Sequence, residues 1–225
     1  MINPRKYLKK PKKAVVTIHG FGMNRSLHFN DFRKFIEPKG YKVIQFNIYD
    51  INNPEDADYK EWIKRCEKQL TTTLDLYDEV ILLGFSMGGV IASYLASVYP
   101  VKQLILIAPA FNYLDLSTSV HYGKKAIKKI GKKTDSPSGA QTKAFTEIVS
   151  QYKESVYYVD CPILILHGSE DTSISVQSSK SVYSRLTGKK RMLILEGAAH
   201  KMLYDGVMEK TVFTLIYQAM EGNLI

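Results

Sequence analysis

Ser86 stands in the run Gly84-Phe-Ser-Met-Gly88, with Gly89 following. A hydroxyl is a poor nucleophile at neutral pH. It attacks a carbonyl when a base within hydrogen-bond reach takes its proton and a carboxylate holds that base in place. The pattern G-x-S-x-G, placed after a strand and before a helix, suits that chemistry: a sharp turn lifts the serine onto the carboxyl edge of a sheet, and small neighbours make room for the turn. The helix that starts at Met87 aims backbone N–H groups and its positive end at the serine. The plain alternative is a glycine-rich loop that packs a helix close to a strand, so the weight of the reading falls on the partners.

Two later loops supply them. His167-Gly-Ser-Glu-Asp171 follows a fifth apolar run and Gly197-Ala-Ala-His200 a sixth. In a parallel sheet both loops leave from the edge that carries Ser86. The chain order Ser86, Asp171, His200 is the order expected for nucleophile, acid and base on a strand–helix scaffold. Of the five histidines, His200 is the expected base. His28 falls on the first helix or its loop, His121 in a long insertion, and His167 at a strand end where it reads as structural. Asp171 is the expected acid, with Glu170 beside it and Asp115 after the fourth strand as rivals. A third run, His19-Gly-Phe-Gly22, follows the first strand. Acyl transfer needs two donors aimed at the developing oxyanion. The expected pair is the N–H of Met87 and that of Phe21, with Gly20 and Gly22 letting the backbone approach. Taken alone, this run would pass for an ordinary glycine turn.

The elements that must position these residues are legible as alternating runs. Strands are expected at Ala14–Ile18, Tyr41–Ile48, Glu79–Leu83, Gln103–Ala108, Pro162–His167 and Arg191–Leu195, nearly continuous in Val, Ile and Leu, as for strands buried on both faces. Helices are expected at Asn30–Glu37, Asp56–Leu76, Met87–Tyr99, Val176–Leu186 and Tyr204–Met220. The alternation implies βαβ units in a doubly wound α/β sheet, within one domain spanning residues 1–225. It breaks from Phe111 to Asp160. Two helices are expected there, Tyr122–Ile130 and Ala140–Lys153, as a small cap over the carboxyl edge, where open α/β sheets bind ligands.

Composition narrows the classes. The chain has 225 residues, 45% hydrophobic and 24% charged, the ordinary globular balance. Fourteen Gly and eight Pro exclude a collagen-like repeat. No apolar run approaches the roughly 18 residues of a membrane span, and the basic first residues lack a signal-type apolar stretch, so a cytoplasmic protein is expected. Cys66 and Cys161 are expected to be thiols. Lys plus Arg is 31 against 22 Asp plus Glu, a formal charge of +9, which favours anions but also describes a plain lysine-rich surface. No phosphate-cradling glycine motif and no zinc spacing is present, so neither cofactor nor metal is expected.

Together HGFG, GFSMGG, HGSED and EGAAH resemble the α/β-hydrolase superfamily, and within it the chain is most similar to small bacterial carboxylesterases and monoacylglycerol-lipase-like hydrolases. The resemblance runs from about Ala14 to the C-terminus. It implies an α/β-hydrolase fold with Ser86 as nucleophile, Asp171 as acid, His200 as base and Phe21 and Met87 as oxyanion donors. Larger members begin with two more strands, so a reduced six-stranded parallel sheet with helices on both faces and a helical cap (about residues 111–160) is expected. The expected activity is hydrolysis of carboxylic esters of small or medium acyl groups through an acyl-enzyme. Thioester, amide or C–C cleavage by the same residues is the alternative. A competing class is a non-catalytic anion-binding protein on the same fold, supported by the basic runs Arg5–Lys13 and Lys124–Lys133; specific nucleic-acid binding is not expected.

Overall fold

Each of the six apolar runs becomes a strand: β1 (Lys13–Ile18), β2 (Tyr41–Gln45), β3 (Glu79–Phe85), β4 (Gln103–Ile107), β5 (Ile163–Gly168) and β6 (Lys190–Leu195). They form one sheet in the order β2-β1-β3-β4-β5-β6, with every pairing parallel. The computed structural model describes residues 11–22, 25–112 and 136–225. Within them, α1 (Asn30–Ile36), α2 (Tyr59–Leu76), α3 (Met87–Val98), α4 (Gly139–Tyr152), α5 (Val176–Arg185) and α6 (Glu209–Met220) are the α-helices. No described helix is long and apolar enough to cross a membrane.

Alternation of side chains along each strand divides the interior into two cores. Val16, Leu82, Leu106 and Ile165 face one side, with Trp62, Ile63, Cys66 and Leu70 of α2, the apolar residues of α3, and Phe145 and Ile148 of α4. Val15, Leu83, Ile107 and Leu166 face the other, with Phe32 and Ile36 of α1 and Val212, Phe213 and Ile216 of α6. The continuous apolar runs are therefore explained by burial on both faces.

Local chemistry moves several helix ends from where periodicity alone puts them. α2 begins at Tyr59 rather than Asp56 because the Asp58 side chain accepts from the Lys60 N–H and caps it. α1 stops at Ile36 and continues as a 3-10 turn over Glu37–Lys39, ended by Gly40 at φ 94°. The last helix starts at Glu209, not Tyr204. Asp205 Oδ1 accepts from the N–H groups of Val207 and Met208, both at 2.8 Å, and this local turn, with Gly206 at φ 76°, occupies backbone that a helix would need. α4 lies within a residue of expectation, whereas the Tyr122–Ile130 helix, with Ile127 and Ile130, falls outside the described residues.

The topology places a crevice. β1 and β3 are neighbours, yet the chain leaves β1 through α1 toward β2 and leaves β3 through α3 toward β4. α1 and α3 cover opposite faces, so the backbone parts at the carboxyl ends of β1 and β3, the switch point where such sheets bind ligands.

The two-sided burial has a measurable consequence. Leu106, in central β4, is 0% exposed, and Leu106→Ala is expected to cost about 2–5 kcal/mol. Ile194, on edge strand β6, is 42% exposed, and Ile194→Ser is expected to cost about 1 kcal/mol or less. Urea unfolding midpoints of the two variants check the difference.

Candidate active site

Ser86 joins β3 to α3 with φ 55° and ψ −118°, a backbone conformation that L-residues avoid. Neighbouring hydrogen bonds hold it there. The Ser86 N–H donates to the Ile107 carbonyl (3.0 Å), and its own carbonyl accepts from Gly89 (2.9 Å) and Ala110 (3.1 Å). Glycine is required at position 88 for a specific reason. A Cβ there would run into the Ile18 carbonyl oxygen and come within 2.6 Å of that of His19, so α3 starts against the end of β1 only because that atom is missing. Ser86 itself is 9% exposed.

The loop after β1 closes over the serine. A Cβ on Gly20 would lie 3.2 Å from the Ser86 Cβ, so the backbone at Gly20 runs directly beside Ser86, and Met87 follows it as the first residue of α3. The loop is tied from behind. His19, fully buried, accepts the Ile48 N–H on Nε2 at 2.9 Å, which leaves the proton on Nδ1 to be donated to the Gly20 carbonyl at 2.7 Å. The Gly22 N–H donates to the Tyr49 hydroxyl at 2.9 Å, and Tyr49 stacks on Trp62 at 4.3 Å. Sequence reading gave no role to His19 or Tyr49; the signal for His19 was a histidine directly after a largely apolar strand, where an unsatisfied ring would be costly.

Asp171 and His200 meet. His200 Nδ1 lies 2.7 Å from Asp171 Oδ2, and the carboxylate side chain is 0% exposed against 16% for the imidazole. Asp171 Oδ1 accepts the N–H groups of Ser173 and Ile174, both at 2.8 Å. Glu170 is exposed and its N–H is engaged with the Ala198 carbonyl at 3.0 Å; Asp115 and His121 lie outside the described residues. The loops that carry Asp171 and His200 are laced together: Ser169 N–H to the Leu195 carbonyl (2.9 Å), and Gly197 N–H to the Ser169 hydroxyl (2.9 Å). The ring of Phe85, the residue before Ser86, lies 5.0 Å from that of His200, which sets the imidazole beside the elbow. Tyr204 backs the same ring edge-on at 5.7 Å and stacks on His28 at 4.3 Å; burial pushes its phenol up to about 12, so it stays neutral.

Burial alone would raise the Asp171 carboxyl, but the hydrogen bonds from His167 and His200, the charge of His200 and the Ile174 N–H outweigh it, and the group is held well below the usual carboxylate range. The carboxylate is thus ionised wherever the protein is folded near neutrality. It can orient the imidazole by accepting from Nδ1, leaving Nε2 to exchange a proton.

α4 reaches this edge from the insertion. Its capping-box residue Gln141 is 0% exposed and donates to the carbonyls of Asp50 (2.9 Å) and Asn53 (3.0 Å) in the loop after β2. One turn on, Phe145 stacks on Phe21 at 4.9 Å. A cavity of about 210 Å³ lined by Lys13, Lys102, Gln103, Pro162 and the residues after α6 lies where the strands begin, at the opposite edge of the sheet, and is unconnected with these groups.

A six-stranded parallel sheet covered on both faces, with a serine elbow after β3 and the Asp171 and His200 loops after β5 and β6, is the α/β-hydrolase fold. Residues 14–210 match the uncharacterised protein family UPF0227, and the chain belongs to that family. It is 23% identical over 230 residues to the mitochondrial palmitoyl-protein thioesterase ABHD10 of Bos taurus, covering 93% of this chain and 74% of that protein. Among solved structures it is similar to one from the work on the metagenome-derived lipolytic enzymes LipS and LipT (TM-score 0.76, 15% identity, 94% of each chain). It is also similar to a monoacylglycerol lipase of Paleococcus ferrophilus (TM-score 0.72, 17% identity, 93% of this chain and 94% of the other). Est1E from Butyrivibrio proteoclasticus is a third (TM-score 0.69, 18% identity, 95% and 90%). At these identities the likeness establishes the fold.

The lowered Asp171 carboxyl links protonation to stability. Its folded value lies below the roughly 3.9 of an unfolded aspartate, so its contribution is fully present above that value and is lost as pH falls through the folded one. Asp171→Asn is therefore expected to be less stable than the wild type at pH 7, and the gap should narrow steadily between about pH 5 and pH 2. Urea midpoints of both proteins across that range check it.

Proposed function

We propose that the protein is a serine hydrolase that cleaves carboxylic esters of small or medium acyl groups. The observation that carries this reading is the convergence at one sheet edge of the strained Ser86 with His200, bonded at 2.7 Å to the buried Asp171 carboxylate. Ser86 Oγ attacks the ester carbonyl while His200 Nε2 takes its proton. Nδ1–H stays on Asp171, which steadies the imidazolium. The oxyanion is received by the N–H groups of Met87 and Phe21. His200 then returns its proton to the departing alkoxide, leaving Ser86 acylated. A water molecule, deprotonated by His200, releases the acid and restores the hydroxyl. α4, in the insertion after β4, covers the site, with the Phe21–Phe145 stack at 4.9 Å as the wall that limits the acyl chain.

A thioester is the second reading, favoured by the similarity to the ABHD10 thioesterase. The same attack serves it, since a thiolate leaves more readily than an alkoxide.

Three measurements test the proposal. A fluorophosphonate probe should label the wild type and not Ser86→Ala; a non-catalytic anion-binding protein would not react at all. Ser86→Ala should lose on the order of 10⁴-fold or more in kcat with an unchanged melting curve; retention of a tenth of the activity would overturn the assignment. Across p-nitrophenyl esters from acetate to palmitate and the matching acyl thioesters, kcat/KM should peak at a short or medium oxygen ester. A peak at palmitoyl thioester would replace this substrate class with the second reading.

A further inference from the structure

Beside the Asp171–His200 pair lies a third buried group, to which the proposed mechanism gives no part. His167 is the penultimate residue of β5, and its side chain is 0% exposed. Its Nε2 stands 2.9 Å from the Ile174 carbonyl oxygen and 3.3 Å from Asp171 Oδ2. Both neighbours are acceptors only, the second because the carboxyl is ionised, so Nε2 carries the proton and shares it between them. Nδ1 lies 2.7 Å from the Ser179 hydroxyl of α5. A ring protonated on Nε2 accepts there, and the hydroxyl donates. One tautomer of a neutral imidazole satisfies all three partners.

We propose that His167 is a positioning residue for catalysis: a neutral Nε2–H imidazole that, with His200, fixes the Asp171 carboxylate. Oδ2 then faces two imidazole N–H groups in opposite tautomers, Nδ1–H of His200 bonded at 2.7 Å and Nε2–H of His167 at 3.3 Å, whose closer partner is the Ile174 carbonyl, while Oδ1 takes two backbone N–H groups. Four donors account for the accepting capacity of a carboxylate. The group can neither swing away from His200 nor be left with an uncompensated lone pair in a dry site. The arrangement also moderates the pair. A carboxylate that shares its charge with a second donor holds a neighbouring imidazolium less strongly, so removing the second donor tightens the hold of Asp171 on a protonated His200. Among the described residues, the titratable groups that face Asp171 are these two histidines, one from the loop after β6 and one from β5. Phe85 and Ser179, which pack on them, carry no charge.

The inference rests on Ser86, His200 and Asp171 acting as proposed above, and the test separates the two. His167→Leu removes the donor. Its acid limb of kcat/KM should move to higher pH by roughly half a unit. His167→Gln keeps an N–H near the position of Nε2, and its limb should return at least halfway to that of the wild type. If His167 only fills the core, both variants will lose melting temperature with the limb unmoved, which overturns the proposal; so does an equal shift in both. If His167→Leu does not fold, ¹⁵N NMR of the wild type decides: His167 should be a neutral ring protonated on Nε2 from pH 6 to 9, and a proton on Nδ1 instead overturns the proposal. The NMR result does not depend on turnover. Retained activity in Ser86→Ala would sink the hydrolase reading and leave the tautomer measurement standing.

Discussion

Everything at this site depends on one residue being held in a conformation it would not choose. Ser86 at φ 55° stores of the order of 1–3 kcal/mol in its backbone, and the surroundings must over-determine it. They do so from three directions: β4 takes its N–H, α3 and the loop after β4 hold its carbonyl, and β1 presses against Gly88. A methyl group at position 88 would force β1 and α3 apart and carry the loop of Gly20 and Phe21 away from the serine. The strain is therefore shared among four elements rather than located in a single turn.

The sheet's connectivity explains why those elements meet at this point. Reversal of direction between β2 and β3 separates the backbone at the ends of β1 and β3, and the two loops that diverge there are the one carrying Phe21 and the one carrying Ser86. The remaining groups arrive from farther along the sheet and need their own fixing. For Asp171 and His200 the fixing is the lacing of Ser169, Gly197 and Ala198, with Gly168 lying so close that a Cβ there would strike the Ala198 carbonyl. For the front loop it is a relay from Gly22 through Tyr49 and Trp62 to Asp56, which also binds Arg65 at 2.7 Å.

The strands could be read from the sequence because burial on both faces leaves an uninterrupted apolar signature, and so could the placement of Ser86, Asp171 and His200 at the carboxyl edge, because each follows such a run. What could not be read was contact between distant segments. Nothing in the run Glu170-Asp171 says which carboxylate turns inward; the N–H groups of Ser173 and Ile174 decide it. Nothing near Ala108 announces its φ of 43°, which is set by its N–H reaching across to Leu166 at 2.9 Å. His167 reads as a strand-end histidine, and its meeting with Ser179 depends on where α5 lands. The late start of the last helix was missed for a local reason: the Asp205 turn competes with helical hydrogen bonds more strongly than the apolar spacing of Tyr204–Met220 suggests.

His200 follows β6, an edge strand paired only with β5 and partly exposed along its whole length. Ser86 follows β3, which is paired on both sides and fully buried beyond its first residue. Local opening in proteins begins where packing is thinnest, so β6 and its loop form a cooperative unit that can detach while the central strands keep their amide protection. His200 and Ser86 thus belong to parts of the molecule with different opening free energies. In mild denaturant the meeting of His200 with Asp171 would vanish before the sheet does, and hydrogen exchange would find the lower threshold on the side of His200.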